Sequence, residues 1–258
     1  MCESLLSVGL DVGTTSTQMV VSRLKVENRA SIFAVPELAI TQREILYESP
    51  VYFTPVLDES HVNGEKIREI VEEEYRKAGI SRQTVDTGAI IITGETSRKE
   101  NARAVLDALS DLAGEFVVAT AGPDLESILA AKGAGAVAYS EETGKTVLHM
   151  DIGGGTSNLA LIQDGKIRKT GCLNVGGRLV KLSDTGEITY VSPVLQGLFS
   201  GKPGKKITQE EASALADTLT RALEMAAGLR EPTALLDQLL TKETGEVWQP
   251  PEKPDLFS

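Results

Sequence analysis

Asp11-Val12-Gly13-Thr14-Thr15-Ser16-Thr17 follows the apolar run Leu5-Leu6-Ser7-Val8-Gly9-Leu10 and precedes Met19-Val20-Val21. The pattern predicts strand, tight polar turn, strand. It returns later in the chain. Val147-Leu148-His149-Met150 leads into Asp151-Ile152-Gly153-Gly154-Gly155-Thr156-Ser157, then Leu159-Ala160-Leu161-Ile162. Aligned without gaps, Asp11 meets Asp151, Gly13 meets Gly153, and Ser16-Thr17-Gln18 meets Thr156-Ser157-Asn158. Two halves built around two such turns organise the reading of the whole chain.

Around the first turn, residues 5–10 and 17–24 read as an antiparallel pair. A third strand is expected at 30–38 and a short edge strand at 50–56, which carries proline near both ends. Residues 63–78 have helical periodicity through Ile67, Ile70, Val71, Tyr75 and Ala78, with Gly79 as terminator. The run Glu72-Glu73-Glu74 reads as a solvated helix face. The continuous apolar run at 88–93 suggests a strand covered on both faces. A helix is expected over 98–112 with Leu106, Leu109 and Leu112 inward, then a strand at 116–120. A further helix carries Leu125, Ile128 and Leu129 on one face. This alternation indicates an α/β unit with parallel pairing. The small residues at 133–138 fit a close crossing of backbones.

After the second turn, Asp164-Gly165 is a hairpin signal and 166–173 a third strand. A hairpin turning at 184–187 follows. Thr208 and Glu211 form a capping box that starts a helix to about residue 227, and a short helix is expected over 233–240. Trp248-Gln249-Pro250-Pro251-Glu252-Lys253-Pro254 can continue neither a helix nor a central strand.

The composition sets bounds. With 258 residues, two domains are expected. A net charge of −11 argues against a nucleic-acid surface, which needs clustered Lys and Arg. No apolar run approaches the roughly 20 residues of a membrane helix, and the N-terminus lacks a signal-peptide pattern. Cys2 and Cys172 form no CxxC motif, so a reducing cytoplasmic setting is expected. His61 and His149 cannot make a zinc site alone. His149 reads as a packed histidine and Cys172 as a small apolar filler.

The chemistry follows from the residue types. Glycines bring backbone N–H groups close to an anion, and Thr and Ser hydroxyls add donors. Gly13, Thr14 and Thr15 suit one wall of a phosphate site. Gly153, Gly154, Gly155 and Thr156 suit the other. Asp11 and Asp151 are acceptor-only and suit a magnesium ion held mostly through waters. Two such turns facing each other would clamp a metal–polyphosphate, whose hydrolysis needs mainly positioning and charge neutralisation.

These motifs resemble the phosphate-1 and phosphate-2 loops of the actin, Hsp70 and sugar-kinase ATPase superfamily, in which two ribonuclease H-like domains close on a nucleotide. Residues 133–138 resemble its interdomain connecting element, and Gly176-Gly177 resembles the glycine pair of Hsp70-like members. Thr93-Gly94-Glu95-Thr96-Ser97-Arg98-Lys99-Glu100-Asn101 and Ala121-Gly122-Pro123-Asp124-Leu125-Glu126-Ser127, together with both turns, resemble the EutA family of ethanolamine ammonia-lyase reactivating factors. The similarity runs over residues 5–240.

The resemblance implies an α/β actin-like ATPase fold. It comprises a first ribonuclease H-like domain at 1–140, a partial second copy at 141–245 and a Pro-rich tail at 246–258. It implies a chaperone-like role: ATP and Mg2+ drive exchange of damaged cobalamin on ethanolamine ammonia-lyase, adenosylcobalamin belonging to that partner. Asp11 and Asp151 would organise the metal, and Glu126 would orient the attacking water or serve only as a first-turn acid. Glu95 divides equally between a loop role and a surface turn. No nucleic acid and no membrane are expected as partners. A homo-oligomer and association with a bacterial microcompartment stay open. No adenosine-binding glycine motif follows Gly177, so the chain reads as truncated and its ATP affinity is expected to be weak or absent. The alternatives are a sugar or small-molecule kinase and a nucleotide-insensitive scaffold.

Overall fold

The computed structural model describes residues 2–13, 16–28, 38–57, 61–93, 101, 105, 109, 115–120, 122–241, 248, 249, 251 and 254–258. The chain divides into two compact units, Met1–Ala121 and Gly122–Ser258.

In the first unit, β1 (Cys2–Val12) and β2 (Ser16–Asn28) form the antiparallel pair that the alternating sequence predicts. β3 (Leu38–Glu48) pairs antiparallel with β2, and β4 (Tyr52–Phe53) pairs with the start of β2. The third strand therefore follows the expected span of 30–38, of which residues 30–37 lie outside the described residues. Helix α1 (Gly64–Ala78) has Asn63 as its N-cap and the left-handed Gly79 as its C-cap. Strands β5 (Thr87–Ile92) and β6 (Glu115–Thr120) then run parallel to β1. Among the described residues the order is β3-β2-β1-β5-β6, three antiparallel strands followed by parallel ones. Ile67, Val71 and Tyr75 of α1 pack on Val8, Leu10, Ile90 and Ile92 of the sheet. Of the helix expected over 98–112, Leu109 is buried; Leu106 and Leu112 lie outside the described residues.

The acidic run on α1 is not a uniformly solvated face. Glu72 and Glu73 are exposed, but Glu74 is fully buried. Its carboxylate accepts from Tyr47 Oη at 2.7 Å, Tyr52 Oη at 2.6 Å and Lys77 Nζ at 2.8 Å. The two tyrosines come from β3 and β4, so sequence spacing along the helix could not reveal the burial. Burial by itself pushes the Glu74 carboxyl up. Hydrogen bonds from Lys77, Tyr52 and Tyr47 outweigh it and hold the group below its ordinary value of 4.5. A carboxylate depressed in the folded state stabilises above its unfolded pKa, and that contribution is lost as pH falls through the folded value. Glu74→Gln is expected to cost about 2 kcal/mol at pH 7. It should also flatten the loss of stability below pH 4.5, measured by urea unfolding across an acid series.

In the second unit, α2 (Pro123–Gly133) and α3 (Ala136–Thr143) meet at Gly135, whose φ of 78° is left-handed. Their Ala131 and Ala136 pack with Val147, Ala160 and Ile162 on one face of the sheet. This packing joins 122–143 to the second unit, whereas the sequence reading put the boundary near residue 140. The apolar Leu125 and Leu129 of α2 are exposed, and Ser127 and Ala131 are its buried residues. Strands β7 (Val147–Ile152), β8 (Ser157–Gln163) and β9 (Lys166–Leu173) form an antiparallel meander, with Asp164 and Gly165 both at positive φ in the β8–β9 turn. A hairpin of β10 (Val180–Leu182) and β11 (Ile188–Val191) precedes α4 (Gln209–Ala226), which begins at the Thr208–Glu211 capping box.

Helices α4 and α5 (Ala234–Leu239) cover the sheet face carrying Leu148, Leu159 and Leu173. With both faces covered, β8 is buried along nearly its whole length. Trp248 joins this cluster. Beyond the prolines, β12 (Leu256–Phe257) pairs parallel with β7, in the position that β5 holds beside β1. The Pro-rich segment thus ends in a short strand. Among the described residues no helix is long and apolar enough to cross a membrane.

Candidate functional site

Both turns close in the same way. Gly13 N–H donates to Ser16 O at 2.8 Å, and Gly153 N–H donates to Thr156 O at 2.9 Å. Each closure stands at the end of its unit's first strand pair. A Cβ on Gly13 would stand 3.1 Å from Ser16 O, and one on Gly153 3.2 Å from Thr156 O. The same crowding against the closing carbonyl accounts for glycine at both positions. Thr14, Thr15 and Glu95 lie outside the described residues.

The first turn is fixed from the β4 side. Thr54 Oγ1 donates to Gly13 O at 2.7 Å and lies 3.0 Å from Thr17 Oγ1. Thr17 and Thr54 are both buried. Asp11, at the end of β1, is exposed and accepts from Thr93 Oγ1 at 3.3 Å, while Thr93 N–H donates to Val12 O. Asn101 bonds both the N–H and the carbonyl of Val62. Thr54 and Thr93 escape sequence reasoning because their partners stand 41 and 82 residues away.

The second turn rests on the strand exit after β9. Gly177 N–H donates to Gly153 O at 3.0 Å, and Arg178 N–H donates to Gly154 O at 2.8 Å. In a trans peptide the carbonyl and the next N–H point in opposite directions. Drawing those two carbonyls toward 177–178 therefore turns the N–H groups of Gly154 and Gly155 the other way. Two successive N–H groups facing outward make an anion-binding concavity. Gly176 lies flat on this peptide: a Cβ there would be 2.4 Å from Gly154 O, 2.5 Å from its carbon and 2.7 Å from Gly155 N. Ser157 Oγ donates to Val175 O and ties the same exit to β8.

Asp151 is exposed at the end of β7, directly opposite Asn158. Thr156 is buried, and Gly154 and Gly155 are partly exposed. Glu126 lies in the first turn of α2, half-buried, beside Asp124, which accepts from Thr170 Oγ1. His149 is buried, as its strand setting predicts, with Nδ1 3.3 Å from Ser258 Oγ. Burial holds its imidazole below the ordinary value, against the pull of the Asp151 carboxylate. Cys172 is a buried filler on β9.

Among the described residues no three His, Cys, Asp or Glu side chains gather into a metal cage. A single carboxylate beside a ring of N–H donors is the donor set that magnesium accepts, since it keeps several waters and leans on phosphate oxygens. The residues present thus fit a magnesium–phosphate group.

Residues 3–252 match the family described as ethanolamine utilisation protein EutA. Over 206 residues the chain is 48% identical to ethanolamine ammonia-lyase reactivase EutA of Escherichia coli (strain K12), covering 80% of this chain and 42% of that one. Over 252 residues it is 41% identical to the Salmonella typhimurium protein of the same name, covering 93% of this chain and 54% of that one. The chain spans about half the length of these curated relatives. Among solved structures, a Ppx/GppA family member from Aquifex aeolicus aligns with a TM-score of 0.53 at 16% identity, covering 89% of this chain and 64% of that one. The fold is the α/β, ribonuclease H-like fold of actin-like ATPases.

Proposed function

This chain belongs to the EutA family of ethanolamine utilisation proteins, and on that footing we propose that it acts in reactivating ethanolamine ammonia-lyase. In this reading it uses ATP and Mg2+ to promote exchange of damaged cobalamin for adenosylcobalamin on the lyase. In the same reading it works in the cytoplasm. The observation that carries the reading is the pair of turns with one closing geometry, in a chain 48% and 41% identical to two reactivases.

Magnesium, when bound, would neutralise phosphate charge. The chain's own residues hold and orient. Asp11 and Asp151 accept from the ion's waters. The amides of Gly154 and Gly155, the hydroxyl of Thr156, and Thr14 and Thr15 donate to phosphate oxygens, while Gly13 and Gly153, whose N–H groups close the two turns, let the backbone come near the anion. Glu126 orients the attacking water. Binding one nucleotide state better than another is what would drive the lyase-bound chain between conformations.

The test combines the 258-residue chain with lyase inactivated by cyanocobalamin, free adenosylcobalamin and Mg-ATP. Ammonia release from ethanolamine should return with the chain and Mg-ATP, and should fail with Asp11→Ala. Recovery that ignores ATP, or none with the wild-type chain, would overturn the reading.

A further inference from the structure

The two turns hold the same carbonyl by different means. In the second unit, Gly153 O accepts from the backbone N–H of Gly177 at 3.0 Å. In the first unit its counterpart, Gly13 O, accepts from a side chain, Thr54 Oγ1, at 2.7 Å. The hydroxyl that follows each turn is matched as well. Thr17 and Ser157 take equivalent places in their ladders, Thr17 Oγ1 lying 3.0 Å from Thr54 Oγ1 and Ser157 Oγ donating to Val175 O at 2.7 Å. Each unit thus braces its turn with one hydroxyl from the second strand and one donor to the glycine carbonyl.

The donor inventory fixes the order of the protons in the first brace. Thr54 has one hydroxyl hydrogen, and a carbonyl can only accept. That hydrogen goes to Gly13 O, so Thr17 is the donor to Thr54. The relay runs one way, and each bond polarises the next. It is shielded from water, with Thr17 1% and Thr54 8% exposed. Thr54 is also held from its own side. Two residues earlier, Tyr52 Oη donates to the buried Glu74 carboxylate at 2.6 Å, and β4 pairs Tyr52 with Thr17. A carbonyl held in one direction fixes the plane of its peptide, whose N–H edge faces the opposite way.

We propose that Thr54 is a positioning residue for phosphate: its hydroxyl, supplied with a hydrogen bond by Thr17, sets the peptide leaving Gly13 so that its N–H edge meets a phosphate oxygen. Thr54 touches no ligand. It does with a side chain what Gly177 does with backbone, so in the first unit one substitution removes the brace without altering the path of the chain. The proposal rests on the phosphate reading of the turns and adds to it a residue outside both of them.

The experiment records carbon-13 and nitrogen-15 spectra of the full labelled chain through a titration with Mg-ATP, with thermal unfolding of each variant. Two pairs isolate the hydroxyl: wild type against Thr54→Val, and Thr54→Ser against Thr54→Ala. In each pair, loss of the hydroxyl is expected to move the Gly13 carbonyl resonance of the nucleotide-free chain, to leave that of Gly153 in place, and to raise the Kd for Mg-ATP about fivefold. Thr54→Ser should bind like the wild type. If the hydroxyl-free variants lower the melting temperature but leave the Gly13 resonance or the Kd unchanged, or if Thr54→Ser fails like Thr54→Ala, the proposal is overturned alone. Absence of Mg-ATP binding in the wild type overturns it together with the reading beneath it.

Discussion

Gly176→Ala is expected to destroy the second turn, while Gly177→Ala one residue on leaves it intact. The Cβ introduced at 176 would meet three backbone atoms of the Gly154–Gly155 peptide, the nearest at 2.4 Å. Backbone cannot rotate away as a long side chain can. Either the 174–178 exit lifts, breaking the Gly177 and Arg178 hydrogen bonds, or the turn is pushed outward and its N–H groups lose their aim. Overpacking of this kind costs about 3 kcal/mol. Affinity for Mg-ATP should fall at least about tenfold, since a tenfold loss needs only about 1.4 kcal/mol of misalignment. At Gly177 an added Cβ meets nothing within 4 Å, so the change should stay within about 0.5 kcal/mol. Chemical unfolding and calorimetric nucleotide binding on the two variants read out this contrast.

The second large effect is expected at Trp248. This side chain is the chain's single tryptophan and is 4% exposed. Its ring covers Gly171 on β9 so closely that a Cβ there would stand 2.5 Å from it. Its Nε1–H donates to Ala226 O at 3.0 Å, satisfying a carbonyl at the end of α4. Trp248→Ala removes the ring from the cluster that joins β7, β8 and β9 to α4 and α5, at a cost of about 3–5 kcal/mol. Trp248→Phe keeps most of the apolar contact and strands the Ala226 carbonyl, for about 1 kcal/mol beyond the lost area. In the wild type, tryptophan fluorescence follows the second unit alone; circular dichroism follows the variants.

Much of this was readable from residue order. The Asp-x-Gly pairing, the alternating apolar strands around it, the Asp164-Gly165 turn and the Thr208–Glu211 capping box are local signals, and each appears where local chemistry places it. The strand Leu38–Glu48 of the first unit is not announced by its sequence, because Leu-Ala-Ile-Thr-Gln-Arg-Glu-Ile-Leu-Tyr-Glu lacks a period of two. Most of β3 is exposed on both faces, and it is a strand because the long β2 offers it an edge. Glu74 reads as solvated for a related reason: its burial is decided by Tyr47 and Tyr52, not by its neighbours on α1. The Leu125 and Leu129 pattern on α2 misled in the opposite sense, since the helix packs through small residues. At the candidate site, glycines announce the turns, but what steadies them does not show in sequence. Thr54 and Thr93 become visible only when the fold brings them to the first turn.

The central proposal is that each turn supplies phosphate and magnesium contacts, Asp11 in the first unit and Asp151 in the second. Isothermal calorimetry of ATP binding to the 258-residue chain, with and without Mg2+, tests it most directly when Asp11→Ala and Asp151→Ala are measured alongside. With phosphate contacts supplying the affinity, the wild type should bind Mg-ATP with a Kd of about 1 mM, bind more weakly without Mg2+, and lose at least about tenfold in each variant. Absence of Mg2+-dependent binding at several times that concentration, or undiminished binding in both variants, would contradict the account.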